Sequence, residues 1–406
     1  MTVERIINAC LLDREGTWTV RLSGGRIVGV DAQDGTVAGG RPDVVDADGG
    51  LVVPALVDPH VHLDLAYSAD IVPPNLSGTL LEAIEFWSKA KAELSAENVR
   101  ERAVRAIHDE VGFGTGVMRS HVDMGSAAGM RLCEGVLAAR ESTRDICTIQ
   151  FVAFPQDGLI RDPQAVDLVR QACRAGVDLV GGIPHVERTP RTGIRHLELM
   201  FDLAAEFDTD IDVHIDETDD PQSMYTEHLA ELTIERGWQG RVTASHVCAL
   251  SSYTDVHAER VMDMLAEARV NVVTNPGVNL HLQGRFDRYP KRRGLTRVSE
   301  LLPRGVQCAA GQDCIKDPFY PMGNGQMLDQ AFLLVHADHM ISPDGIRQAF
   351  DMVCGMAGRV LGREDHQIVE GAPADITVFA ESQVSELIRR KPRPSCVLHA
   401  GRRVDG

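Results

Sequence analysis

The sequence predicts an α/β protein: a (β/α)8 barrel with a small β-sandwich assembled from the two ends of the chain. Three observations lead there. Eight short apolar runs of strand type recur through the middle of the chain, at 55–57, 116–119, 148–153, 179–182, 210–214, 241–245, 270–274 and 307–310. Amphipathic stretches of helical period separate most of them, the alternation that makes a parallel sheet covered by helices. Both ends, by contrast, carry short β-type runs punctuated by glycine pairs.

In chain order, the runs 5–11, 17–22, 26–30 and 51–53 read as strands, and Gly24-Gly25 and Gly49-Gly50 supply turns between them. The same style returns at 374–379 and 395–398, with Gly401-Arg402-Arg403 read as a turn. These ends define a small domain, 1–53 plus 366–406, beside a catalytic domain over 54–365. Helical periods fall at 96–112, 163–175, 194–207, 224–236 and 255–269. A doubly wound open sheet would use the same elements, but no strand is followed by its Gly-x-Gly-x-x-Gly signature.

Composition narrows the class. At 44 % apolar and 25 % charged residues, the 406-residue chain is ordinary globular material, neither disordered nor fibrous. It has 41 basic and 59 acidic residues, a net charge of −18, which argues against nucleic-acid phosphate as a partner. There is no run of ~20 apolar residues to span a membrane. Residues 1–8 lack the basic start and apolar core of a signal peptide. The nine cysteines are scattered without a Cys-x-x-Cys pair, so they read as reduced core residues of a cytoplasmic protein.

The unusual polar residues stand at the strand ends, where a barrel places its catalytic groups. The first run leads into Asp58-Pro59-His60-Val61-His62. A period of two puts His60 and His62 on one side, where two imidazoles can chelate one divalent cation. The fifth run ends in His214-Ile215-Asp216-Glu217, the sixth in Ser245-His246 and the eighth in Gly311-Gln312-Asp313-Cys314. Singly, each has a plain alternative: surface or core histidines, or a helix N-cap at Asp313. Together they favour a mononuclear hydrolase site of His60, His62, His214 and Asp313, with water in the remaining position and His246 beside it. Asp216 is expected to point away from that site. His121 and His185 stay open between lining the pocket and bracing it, and the role of Gln312 is open too. The cluster Lys291-Arg292-Arg293 is expected to be a salt-bridged surface.

Longer strings are more specific. They include Pro59-His60-Val61-His62-Leu63-Asp64, Ser77-Gly78-Thr79-Leu80, Phe154-Pro155-Gln156-Asp157-Gly158 and Gly182-Ile183-Pro184-His185. They continue with Ile211-Asp212-Val213-His214-Ile215-Asp216-Glu217, Thr243-Ala244-Ser245-His246, Asn279-Leu280-His281-Leu282-Gln283-Gly284-Arg285-Phe286-Asp287 and Tyr289-Pro290-Lys291-Arg292-Arg293-Gly294. In these the chain resembles the amidohydrolase superfamily and, within it, the bacterial cytosine deaminases, over nearly its whole length.

The resemblance implies one Fe²⁺ or Zn²⁺ per subunit on His60, His62, His214 and Asp313, with Mn²⁺ suiting the same donors. Pro184-His185 stands where a carbamylated lysine would otherwise be sought. Glu217 would carry a proton to ring nitrogen N3, His246 would polarise the attacking water, and Asp313 would take the released proton. Gln156 and the backbone near Leu80 and Leu81 would bind the amide edge of a free pyrimidine. A homo-oligomer is the family's habit.

The chain departs from the family at the eighth strand. Gly311-Gln312-Asp313-Cys314 stands in place of Gly-His-Asp-Asp. The missing second aspartate would crowd a substituent at C5, whereas cysteine is a small hydrophobe. This points to 5-methylcytosine, deaminated to thymine, as well as cytosine, deaminated to uracil. Phe319 stands where the family commonly has Trp, which again enlarges the pocket if it packs on the base. Plain core packing is the alternative for Phe319, and drift with cytosine retained is the alternative for Cys314. Rival substrates are N-alkylated s-triazines of the isopropylammelide type, isoguanine and creatinine. A metal-free assembly protein related to the dihydropyrimidinases is disfavoured, because all four ligands and Glu217 are present.

Overall fold

The computed structural model describes residues 1–404. Eight parallel strands follow one another around the barrel in sequence order: β1 (Leu56–Val61), β2 (Thr115–Asp123), β3 (Thr148–Phe154), β4 (Leu179–Gly182), β5 (Ile211–Ile215), β6 (Val242–His246), β7 (Asn271–Thr274) and β8 (Cys308–Ala310). Buried on both faces, they read as near-continuous apolar runs, and every residue of β1 and β2 is buried.

The seam between β8 and β1 closes just beyond the strands. Val61 bridges Asp313 in parallel register. His62 N donates to Asp313 O at 2.8 Å, and Asp313 N donates to His60 O at 2.7 Å.

Each strand lies where its apolar run does, with the ends shifted. β1 runs four residues beyond expectation, through Asp58-Pro59-His60 to Val61, and β2 likewise runs on to Asp123. A register irregularity absorbs the proline there, and the Asp58 carboxylate accepts from His60 N at 3.1 Å. The covering helices include Ala96–Gly112, Gln164–Ala175, Pro190–Phe207, Tyr225–Glu235 and Asp255–Glu267. Ser95 caps the first of these, and Thr189 opens the third as a capping box with Thr192.

The terminal strands form one hydrogen-bonded path, running Arg402–Val404, Cys396–His399, Ile376–Val378, Leu51–Pro54, Arg5–Leu11, Arg14–Ser23, Arg26–Gln33. Arg5–Leu11 serves two parallel neighbours along one edge: Val44–Asp46 beside its start and Leu51–Pro54 beside its end. The path thus branches around a core of Ile6, Val20, Ile27, Val45, Ile376 and Leu398. Two of its strands carry no apolar run. Arg402–Val404, read from sequence as a turn, buries only Val404, and Val44–Asp46 buries only Val45. Leu51–Pro54 passes through Ala55 directly into β1, so the terminal sheet is fastened to the barrel at its first strand.

Among the described residues no helix is long and apolar enough to cross a membrane, and no disulfide is formed.

Candidate metal centre and substrate chamber

The strand ends bring five buried histidines and one carboxylate together. His60 comes from β1, His62 from just after it, His121 from β2, His214 from β5, His246 from β6 and Asp313 from the turn after β8. His62 Nε2 and His214 Nε2 face each other at 3.0 Å. Asp313 Oδ1 is 3.5 Å from His62 Nε2 and 3.6 Å from His60 Nε2. Ligand atoms of one tetrahedral cation at ~2.05 Å stand about 3.3 Å apart, so these separations suit a shared ion.

Other combinations are close as well. His60, His121 and His214, and likewise His60, His246 and Asp313, each offer donor atoms within 4.8 Å of one another. The His121 ring lies against that of His60, with centroids 4.0 Å apart and planes tilted by 32°. Its Nε2 lies 3.3 Å from Asp212 Oδ1 without hydrogen-bond alignment.

The electrostatics of the cluster fit a cation. Burial first, and neighbouring imidazoles next, hold His60, His62, His214 and His246 well below the usual histidine range, so they are neutral bases. Burial, with the Glu217 and Asp317 charges adding to it, pushes the Asp313 carboxyl well up. His60 Nε2 is buried with no partner in the chain. A cation among these atoms would satisfy both the orphaned nitrogen and the strained carboxylate.

The backbone is also strained here. His246 (φ 74°), Asp313 (φ 64°) and Asp216 (φ 49°) all lie in the left-handed region, which non-glycine residues rarely occupy. The turn at Asp216 sends its side chain away from the site. There it accepts from Ser223 Oγ, Tyr225 N, and the N–H and hydroxyl of Thr226, fastening the start of the next helix. Glu217 faces the chamber, and burial pushes its carboxyl up to about 8. His246 Nδ1 accepts from the Asn279 amide at 3.0 Å. The Asn275 amide lies 3.3 Å from its Nε2, which stands 3.8 Å from Asp313 Oδ2.

A chamber of about 440 Å³ opens over these groups. Its polar lining is His62, Gln156, His214, Glu217 and Asp313, and Cys314 and Phe319 stand on its wall. Gln156 Oε1 is buried with no partner in the chain, an acceptor available to a ligand.

Leu81 is placed differently from Leu80. Thr79 caps the helix Leu80–Ala90, so Leu80 and Ile84, one turn apart, face the chamber together. Leu81, 72 % exposed, lines an outer vestibule of about 1600 Å³ instead. That vestibule shares Leu80, Ile84, Glu217 and Leu282 with the chamber. His185 lines it, pushed down to about 3 by burial and with both ring nitrogens unpartnered.

Gln312 is a strut and does not line the chamber. Its N donates to Asp58 Oδ1, its Nε2 to Cys314 O, and its Oε1 accepts from Gln330. In the basic cluster, Arg292 pairs with Asp287 and Asp219, while Arg293 donates to the carbonyl of Ala337 and to His339.

Sequence reasoning missed the apolar walls. Phe154 stacks on His214 at 4.0 Å and 19°, and Ile84, Ile183, Val278 and Leu282 complete the enclosure. In sequence they look like any core hydrophobe. Phe154, Ile183 and Leu282 carried only the signal of the longer strings in which they stand.

A barrel with this cluster at its strand ends defines a hydrolase class, and the chain belongs to the amidohydrolase family, whose pattern matches residues 43–405. It superposes on a crystal structure of the 5-methylcytosine deaminase of Klebsiella pneumoniae bound to 5-fluorocytosine with a TM-score of 0.95. The two are 36 % identical, and the match covers 99 % of this chain and 97 % of that one. It is 30 % identical over 403 residues to the N-isopropylammelide isopropyl amidohydrolase of Pseudomonas sp. (strain ADP), covering 98 % of this chain and 96 % of the relative. It is also 30 % identical over 367 residues to the pterin deaminase of Rhizobium rhizogenes, covering 89 % and 82 %.

Proposed function

We propose that this enzyme hydrolytically deaminates a free pyrimidine, 5-methylcytosine to thymine and cytosine to uracil, releasing ammonia. His60, His62, His214 and Asp313 would hold one Fe²⁺ or Zn²⁺, with Mn²⁺ also suited to the set. When bound, that cation supplies the Lewis acidity that makes water nucleophilic at neutral pH.

The chain's own groups do the rest. Gln156 binds the amide edge of the ring and orients C4 over the histidines. His246 and Asp313 orient the attacking water, and Asp313 takes its proton as oxygen adds to C4. Glu217, held protonated by burial, gives its proton to N3 so that the ring accepts the charge. Asp313 then passes the proton it took to the exocyclic amine, the C4–N bond breaks as the proton of the added hydroxyl returns to Glu217, ammonia leaves, and the C4 carbonyl remains. The apolar walls exclude competing water.

The observation that carries the 5-methyl preference is Cys314. It lies on the chamber wall at 3 % exposure, with no charge to resist a methyl group. The match to the Klebsiella enzyme supports the same substrate class.

A second reading, hydrolysis of an N-alkyl group from an s-triazine, is favoured by the Pseudomonas relative and by the vestibule beside the chamber. Steady-state turnover of cytosine, 5-methylcytosine, isoguanine, creatinine and an N-isopropylamino-s-triazine separates the two. Ammonia release from 5-methylcytosine at least as efficient as from cytosine is expected. Clearly faster cytosine turnover removes the methyl preference, and turnover of the triazine alone replaces the reading with the second.

A further inference from the structure

Beneath the site, where such barrels usually stack apolar layers, this one runs a polar chain across five strands. His60 Nδ1 on β1 lies 2.9 Å from Ser245 Oγ on β6. Ser245 Oγ donates to Asp212 Oδ1 on β5 at 2.8 Å. Asp212 Oδ2 accepts from Arg119 Nη1 on β2 at 2.9 Å, in an ion pair whose side chains are 4 % and 0 % exposed. Arg119 is held in turn by Gln150 Oε1, which accepts from Nε at 3.0 Å and from Nη2 at 2.9 Å.

Proton counting gives this chain a direction. The single hydroxyl proton of Ser245 is the one donated to Asp212 Oδ1, whose other oxygen is held by Arg119. Ser245 can then only accept from His60, which places the imidazole proton on Nδ1 and the lone pair on Nε2. That Nε2 is the buried atom without a partner, 3.6 Å from Asp313 Oδ1. His62 and His214 differ, since the chain offers no partner to the Nδ1 of either.

From this geometry we infer that Ser245 and Asp212 are positioning residues that lock His60 as the pre-set donor of the metal centre, with Arg119 as the fixed counter-charge beneath them. The inference rests on the metal reading of the site proposed above. Outer partners of this kind orient a ligand ring and fix its tautomer, and their loss typically weakens metal binding tenfold to a hundredfold.

The test is Zn²⁺ affinity of the full-length protein, measured by competition with a chromophoric chelator. Ser245→Ala is compared with Thr243→Val on the same strand. Thr243 Oγ1 lies 3.4 Å from Arg119 Nη1 and does not reach His60, so it serves as a control within the same polar layer. Ser245→Ala is expected to raise Kd tenfold or more while leaving the melting temperature of the metal-free protein near that of the wild type. Thr243→Val is expected to leave Kd within twofold, and Ser245→Thr, which restores a hydroxyl, to recover most of the affinity. If Ser245→Ala does not fold, Ser245→Cys is read by the same tenfold criterion.

A Kd for Ser245→Ala within twofold of wild type overturns the inference while leaving the metal reading standing. Equal losses in Ser245→Ala and Thr243→Val overturn it in favour of a merely structural role. Wild-type protein that binds no Zn²⁺, Fe²⁺ or Mn²⁺ overturns the metal reading, and this inference with it.

Discussion

Replacing Cys314 with aspartate should turn a methyl-tolerant chamber into one that prefers cytosine. Cys314 is 3 % exposed, and its Sγ lies 3.6 Å from Asp313 Oδ1. Burial and the neighbouring Asp313 and Asp317 carboxylates push its thiol well up, so the wild-type wall is uncharged. Burying one methyl against such a wall is worth about 0.8 kcal/mol. A carboxylate forced against that methyl loses solvation worth about 1–3 kcal/mol. The lower bound of the sum, about 1.8 kcal/mol, is roughly a twentyfold change in relative efficiency. The assay is kcat/KM for 5-methylcytosine and cytosine, with thymine and uracil separated chromatographically. Wild type and Cys314→Asp are compared at matched metal content. The ratio of efficiencies should fall about twentyfold toward cytosine. A ratio within threefold of wild type, in a folded and metal-loaded variant, refutes Cys314 as the discriminating residue.

Four further outcomes are expected. Glu217→Gln should lower kcat by about 10²–10⁴ with metal content unchanged, as measured by turnover alongside elemental analysis. Burial raises the Glu217 carboxyl to about 8, so its protonated donor form is present below that pH and lost above it. The pH profile of kcat/KM should therefore fall on the alkaline side near pH 8, and a flat profile from pH 7 to 10 would contradict the assignment. Chelation should abolish activity, and Fe²⁺, Zn²⁺ or Mn²⁺ should restore it, whereas full activity after exhaustive chelation would exclude a metal-dependent mechanism. Asp375, at the junction of terminal sheet and barrel, is pushed up by burial but held down to about 2 by His399, the N–H of Ala400 and Arg363. Its folded value lies below its unfolded one, so its stabilisation is complete above about pH 4 and disappears as pH falls through about 2. Asp375→Asn should cost about 2 kcal/mol at pH 7 and much less at pH 2.5, read by urea unfolding.

The barrel was legible because its eight strands are buried on both faces and read as apolar runs, while its helices carry a different period. Boundaries were lost where polar chemistry enters a strand. β1 was expected to stop at 57 and runs to Val61, because Asp58 and a register irregularity accommodate Pro59 inside it. The imidazoles and carboxylates that the structure gathers were conspicuous in the sequence because they stand at the ends of β1, β5, β6 and β8. Long-range geometry was not. That Leu80 rather than Leu81 faces the chamber depends on where Thr79 caps the helix. That Gln312 is a strut depends on Gln330, which follows in a later helix. The buried Arg119–Asp212 pair was invisible for the same reason, since its partners lie three strands apart.

The barrel's seam has a consequence for how the enzyme comes into being. His60 and His62 lie near the start of the barrel and Asp313 just after its last strand, and the two backbone hydrogen bonds that close the seam are made by these same residues. No half-made chain can therefore own the centre. It exists only once the ribosome has delivered the eighth strand and the ring has shut. Any breathing of that seam displaces the proposed donors from both sides at once, so occupancy of the proposed metal centre would gauge barrel closure.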